Sequence, residues 1–214
     1  MILYQTALSS YSLKVRLALA LKGCSVELRD PPEGSYRSAA YRELVPPATV
    51  PALVDDGIVL TESDAIIEYV EETTKGSPLL PAGAAGRARA RMMSRLCDLR
   101  LEASLRRLFP AIKAGTALAE ADLSPAREAW LLLGATADAD GPFACGPAPT
   151  MPDCGVAAAL VWLDLLGGDR PGPPEQPRLR VWRDAIDRES RWQDMLRTYR
   201  ATARAWIDAA RAPG

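Results

Sequence analysis

The chain has 214 residues, 48% hydrophobic and 25% charged, which suits one large or two small globular domains with a real core. A formal net charge of -1 gives no electrostatic pull toward nucleic acid or an anionic membrane, and no run approaches the ~20 apolar residues of a membrane helix. The absence of histidine excludes Ser-His-Asp catalysis, histidine acid–base work and histidine-containing zinc sites in one step.

Chemistry is left to hydroxyls, thiols, carboxylates, Arg and Lys, backbone dipoles, or a reactive group brought by a cofactor. Cys24, Cys97, Cys145 and Cys154 show no CxxC spacing. The N-terminus lacks a basic stretch leading into a long apolar one. Reduced thiols in a cytoplasmic protein are expected, with no metal site and no signal peptide.

Met1–Tyr4 is short and apolar enough for a buried strand. Ser9 and Ser10 then stand at the mouth of a helix over Tyr11–Leu21, where Leu13, Leu17 and Leu21 recur at helical spacing and Lys22-Gly23 supplies the stop. Ser25–Asp30 alternates as a strand, with Val26 and Leu28 on one face. Pro31–Ser38 is rich in turn formers, and Tyr41–Val45 suits a short helix before Pro46-Pro47. Ala52–Val54 and Ile58–Leu60 flank Asp55-Asp56-Gly57, a strong hairpin signal. Ser63–Thr73 carries Ile66, Ile67 and Val70 as one helical face. The order predicts a compact mixed sheet with helices against it.

A break rich in proline and glycine spans Gly76–Gly86, and nearly everything beyond it reads as helix. From Arg87 to Ile112, Met92, Leu96, Leu99 and Ala103 form one stripe, and Leu101, Leu105, Leu108 and Ile112 a second. Two stripes imply burial on more than one side, as in a central bundle helix or one that also meets another subunit. Arg87, Arg91 and Arg95 form a ridge read as a solvated face or one paired with acidic neighbours. Further helices are expected over Pro125–Leu133, Cys154–Leu166 (with Thr150 as N-cap and Asp153 at the positive end of the dipole), Arg178–Ile186 and Trp192–Ala210, with a loop over Gly167–Pro177.

Ser9 and Ser10 alone are ordinary helix caps, and Glu62-Ser63 alone is an ordinary helix start. In order they make a rarer set: Ser9-Ser10-Tyr11-Ser12-Leu13-Lys14-Val15-Arg16-Leu17-Ala18-Leu19, then Val50-Pro51-Ala52-Leu53, then Glu62-Ser63. Phe143-Ala144-Cys145-Gly146 and Pro149-Thr150-Met151-Pro152-Asp153 follow. This set resembles the cytosolic glutathione transferase superfamily nearly end to end, most closely its serine-type, zeta-like branch.

The resemblance implies an α/β plus all-α fold: a thioredoxin-like domain over 1–80 and an all-helical domain over 87–214, forming a homodimer. It implies glutathione as cosubstrate and a small, largely apolar electrophile as second substrate. Ser9 is the first choice to stabilise the thiolate, with Ser10 and Tyr11 as alternatives, because a one-residue shift at a helix start changes which side chain faces the sulfur. Val50-Pro51-Ala52-Leu53 corresponds to the cis-proline segment, with Thr49 before it at the glutathione site and the Val50 backbone pairing with the cysteinyl part of the peptide. Glu62 would accept the γ-glutamyl ammonium, and Ser63 with the helix-start amides its carboxylate.

Two positions depart from the family pattern. Thr49 is short where a longer polar residue is usual, and Leu8 stands where zeta-like isomerases often carry arginine. Leu8 therefore ranks isomerisation of a maleyl compound below conjugation; a glutathione-dependent dehalogenase or lyase on the same scaffold is a further alternative, and Thr49 motivates a non-catalytic binding protein. Met93, Leu96, Arg100, Leu108 and Trp206 are the candidates to line the second-substrate pocket.

Overall fold

The computed structural model describes residues 1–167 and 176–211; residues 168–175 of the expected Gly167–Pro177 loop lie outside the described residues. Strand β1 (Ile2–Tyr4) leads into helix α1 (Ser10–Lys22). The Ser9 side chain caps α1 by accepting from the Ser12 amide, and Gly23 ends it in the left-handed conformation (φ 64) that glycine adopts without a Cβ clash. Leu13, Leu17 and Leu21 are buried, as their spacing requires, each stabilising the fold by about 1.5–3 kcal/mol relative to exposure.

Strand β2 (Glu27–Arg29), helix α2 (Ala39–Leu44), strands β3 (Ala52–Asp55) and β4 (Ile58–Leu60), and helix α3 (Ser63–Thr73) complete the first unit. The sheet order is β2-β1-β3-β4, with β1 parallel to β2 and antiparallel to β3, and β4 antiparallel to β3. Asp56 (φ 42) and Gly57 (φ 82) make the tight β3–β4 turn. β2 lies at the sheet edge, and its Leu28 is 45% exposed, so the expected alternation there does not bury that leucine. The Val50-Pro51 peptide is cis.

The remainder is helical. Helix α4 (Ala84–Leu96) continues into a π-helical segment (Cys97–Glu102), then α5 (Ala103–Arg106) and α6 (Phe109–Lys113). One continuous helix over Arg87–Ile112 was expected; the wider π turns and Pro110 at the start of α6 divide it instead. Of its two stripes, Leu101, Leu105, Leu108 and Ile112 are buried, whereas Met92 and Leu99 are 46% and 58% exposed. Helix α7 (Glu120–Thr136) begins five residues before the expected Pro125, because Asp122 accepts from the Ala119 amide and caps an extra turn.

Helix α8 (Met151–Gly167) is buried through most of its length and packs against α1, α4 and α10. The Asp153 carboxylate accepts from the Thr150 amide and hydroxyl (2.8 and 2.9 Å), the Ala144 amide (2.8 Å) and Trp182 Nε1 (2.7 Å). One fully buried charge thus ties the start of α8 to the preceding loop and to α9 (Pro177–Arg188). Helix α10 (Gln193–Arg211) closes the bundle, and just before it Trp192 Nε1 donates to the Leu17 carbonyl at 3.1 Å, bringing the chain end back onto α1. No described helix is long and apolar enough to cross a membrane.

Candidate functional site

A cleft of about 760 Å³ opens between the sheet unit and the bundle, within the usual size of a small-molecule site. Its sheet-side wall comes from Thr6–Ser9, Tyr11, Gly34–Tyr36, Ala48–Pro51, Glu62 and Ser63; its helical wall comes from Arg95, Asp98, Leu99, Arg106, Phe109, Trp162 and Trp206. Of the eight expected site residues, seven line this one cleft: Ser9, Tyr11, Thr49, Val50, Pro51, Glu62 and Ser63. Ser10 does not.

Ser9, Ser10 and Tyr11 differ in what their oxygens already do. The Ser9 hydroxyl accepts from the Ser12 amide at 3.1 Å, which leaves its own proton to donate into the cleft at the positive end of α1. The buried Ser10 hydroxyl donates to Glu102 Oε1 and accepts from Arg106 Nη2 at 3.1 Å, so it joins α1 to the bundle. The Tyr11 ring lies under the Arg106 guanidinium, 4.6 Å from its centroid. Burial, followed by Glu102 and Asp98, pushes the Tyr11 phenol up to about 12, so it stays protonated at neutral pH.

On the opposite rim, the Thr49 carbonyl accepts from the Tyr41 hydroxyl at 2.8 Å, which holds the segment before cis Pro51 in place. Glu62 precedes α3 with φ 65, a left-handed conformation that costs a non-glycine residue energy. No side chain caps α3, so its first amides are available to an anion beside the buried Ser63.

Behind this rim lies an ion cluster that the sequence reading did not single out. Lys14, almost fully buried, places its ammonium 2.7 Å from Asp64 Oδ1 and 2.8 Å from Asp98 Oδ2. Burial works against that ammonium, but Asp98 and Asp64 together hold its pKa above the ordinary lysine value. Ser94 also donates to Asp64, at 2.8 Å. Lys14, Leu17 and Leu21 share one helical stripe, so a lysine on the apolar face of α1 was the available signal.

The helical wall departs from expectation. Met93 and Leu108 are buried in the core, Leu96 packs half-buried against it, and Arg100 is exposed; none of these four lines the cleft, and only Trp206 of the five candidates does. Instead Phe109, Trp162 and Trp206 form an aromatic cluster with centroids 4.6, 5.5 and 5.9 Å apart. Trp162 Nε1 donates to the Tyr199 hydroxyl (2.7 Å), which donates to the Leu8 carbonyl (3.2 Å) and ties this cluster to the loop before α1. Of the arginine ridge, Arg91 pairs with Glu68 and Arg95 lines the cleft.

Fold and cleft together define a protein with a thioredoxin-like sheet unit, a helical bundle and a cleft of small-molecule size between them. The profile of the family "Glutathione S-transferase, N-terminal domain" matches residues 3–78. A maleylpyruvate isomerase of Ralstonia sp is 34% identical over 163 residues, covering 71% of this chain and 77% of that one. A probable maleylacetoacetate isomerase of Caenorhabditis elegans is 46% identical over 96 residues, 44% of this chain and 45% of the other. The match thus spans about half the length of that relative and of several other curated relatives. Among solved structures, the maleylacetoacetate isomerase of Methylobacterium extorquens AM1, with bound malonate and glutathione, is 27% identical at a TM-score of 0.71. That superposition covers 100% of this chain and 99% of the other. The chain belongs to the glutathione transferase superfamily, with the fold of that family and its zeta-like branch among its relatives.

Proposed function

We propose that the protein is a glutathione-dependent enzyme in which Ser9 donates a hydrogen bond to the glutathione thiolate, which attacks a small electrophile held against the helical wall. One observation carries this reading: the Ser9 hydroxyl caps α1 as an acceptor, which leaves its proton free toward the cleft. One charge-assisted hydrogen bond of about 1.5–3 kcal/mol favours the thiolate by about one to two pKa units. The helix end adds positive potential, so no histidine is needed.

In this reading the γ-glutamyl end lies at Glu62 and Ser63, and the cysteinyl amide pairs with the Val50 backbone beside Pro51. Thr49 contributes its backbone more than its short side chain. Residues 1–80 and 87–214 act as the two domains, in a cytoplasmic protein. The exposed Met92 of α4 supports a homodimer, because a large apolar side chain left in water favours burial against a second copy, whereas Leu99 belongs to the cleft wall. Light scattering at micromolar concentration should give the mass of two chains; one chain's mass would remove the dimer.

Calorimetry with glutathione tests the core of the proposal. Saturable binding is expected, whereas no heat and no thermal shift at millimolar ligand would favour a binding protein without this chemistry.

Isomerisation is a second reading, favoured by the names of the relatives. It shares the first step, thiolate attack, and differs in releasing glutathione afterwards. Leu8, apolar where an arginine would hold a dicarboxylate, argues for conjugation. Mass analysis of the product decides: conjugation leaves the sulfur attached, isomerisation does not.

A further inference from the structure

The ligand-lining charges of the cleft are unevenly placed. Arg91 and Ser94 contact Glu68 and Asp64 of α3, so the neighbouring Arg95 and Asp98 lie toward the Glu62–Ser63 end. Arg106 lies over Tyr11 and beside Phe109, 4.6 and 6.0 Å from their ring centroids.

Its guanidinium is held from three sides. Nε, buried and without a hydrogen bond, lies 2.9 Å from Glu102 Oε1 as an ion pair, Nη2 donates to Ser10 at 3.1 Å, and the guanidinium face covers the Tyr11 ring. Glu102 is buried and Arg106 is half-exposed, so the paired edge points into the protein. Among the described residues Nη1 has no partner, and a guanidinium offers five donors in one plane. What remains is a fixed, partly open fork beside an aromatic wall, the geometry that takes a carboxylate in two parallel hydrogen bonds. The wall itself, the half-buried rings of Phe109 and Trp206 packed on the buried Trp162, favours a flat π-system over an aliphatic chain.

We propose that the second substrate is an aryl carboxylate, its carboxylate received by Arg106 and its ring lying on Phe109 and Trp206, which the buried Trp162 backs. The proposal rests on the reading of the cleft as the place where glutathione meets a second substrate. It narrows the expected apolar electrophile to one carrying an anionic group, and it makes Glu102 and Ser10 positioning residues for Arg106.

The test is a calorimetric titration of the whole protein, with and without saturating glutathione, using 2-naphthoate, the neutral 2-naphthamide and maleate. Naphthoate should bind at least about tenfold tighter than naphthamide, and tighter than maleate, which has two carboxylates and no ring. Arg106→Gln should abolish the preference for naphthoate while leaving naphthamide within about twofold. Trp206→Ala should weaken both aryl ligands alike and keep their ratio. Equal affinities of naphthoate and naphthamide for the unaltered protein, maleate binding tighter than naphthoate, or no aryl binding at millimolar concentration would each overturn the proposal without any variant having to fold. If the naphthoate preference holds while glutathione itself does not bind, the thiolate reading falls and the aryl carboxylate site stands.

Discussion

The ammonium of Lys14 lies 3.0 and 2.8 Å from the two carboxylate oxygens of Asp98, so α1 of the sheet unit and the π segment of the bundle share a buried ion pair. Asp64 of α3 closes the cluster. Lys14→Met would keep the apolar stem but leave two partly exposed carboxylates facing each other without their cation. It should destabilise the protein by about 1–3 kcal/mol, less than the cost of breaking a fully buried pair from one side. Urea unfolding measures this, and a loss below about 1 kcal/mol would show that the cluster contributes little.

Asp98 gives the cluster a pH signature. Burial pushes its carboxyl up to about 6, against the pull of Lys14 and with Asp64 pushing the same way. An unfolded Asp titrates near about 3.9, so between these values the folded state binds more protons. The Asp98 contribution to stability is therefore full below about pH 4 and is lost as pH rises through about 6. The stability of the natural protein relative to Asp98→Asn should fall from pH 4 to pH 7. A difference that is flat or rises over that window would contradict the assignment.

Glu62 separates backbone strain from ligand binding. At φ 65 a glycine carries no Cβ penalty, so Glu62→Gly should be about 1–2 kcal/mol more stable than Glu62→Ala. Both should weaken glutathione binding by at least ~1 kcal/mol, because both remove the carboxylate. Thermal melts and calorimetry report the two effects independently. Equal stability of the two variants would remove the strain argument, and unchanged affinity in both would remove Glu62 from the site.

Gly134 on α7 tests the packing far from the cleft. A Cβ there would sit 2.4 Å from Cδ2 of Leu179, which is fully buried on α9. Gly134→Ala should cost about 1–3 kcal/mol by overpacking and leave glutathione affinity unchanged. A stabilising effect would mean that Leu179 can move aside.

The sheet side of the site was legible because its signals are local. A hydroxyl before an apolar helix, a proline opening a strand and an Asp-Gly turn each act within a few residues, and the first unit shows them where expected. The helical side was not, because its residues meet only through tertiary packing. The π turns at Cys97–Glu102 break the regular helical phase, so Met93 and Leu108 go to the core while Arg95, Asp98 and Arg106 reach the cleft. Ser10 read as interchangeable with Ser9 until its partner was visible, since Glu102 lies ninety-two residues along the chain. Phe109 and Trp162 carry no spacing signal that distinguishes a cleft wall from a core.

The most direct test of the account is the thiol pKa of bound glutathione, titrated by ultraviolet absorbance in the natural protein and in Ser9→Ala, Ser10→Ala and Tyr11→Phe. Ser9→Ala should raise that pKa by about one to two units, the worth of one charge-assisted hydrogen bond, with little change in glutathione affinity. Ser10→Ala should mainly lower stability by disturbing Glu102 and Arg106, and Tyr11→Phe should leave the thiol where it is. An unchanged thiol pKa in Ser9→Ala, or equal small shifts in all three, would contradict the role of Ser9.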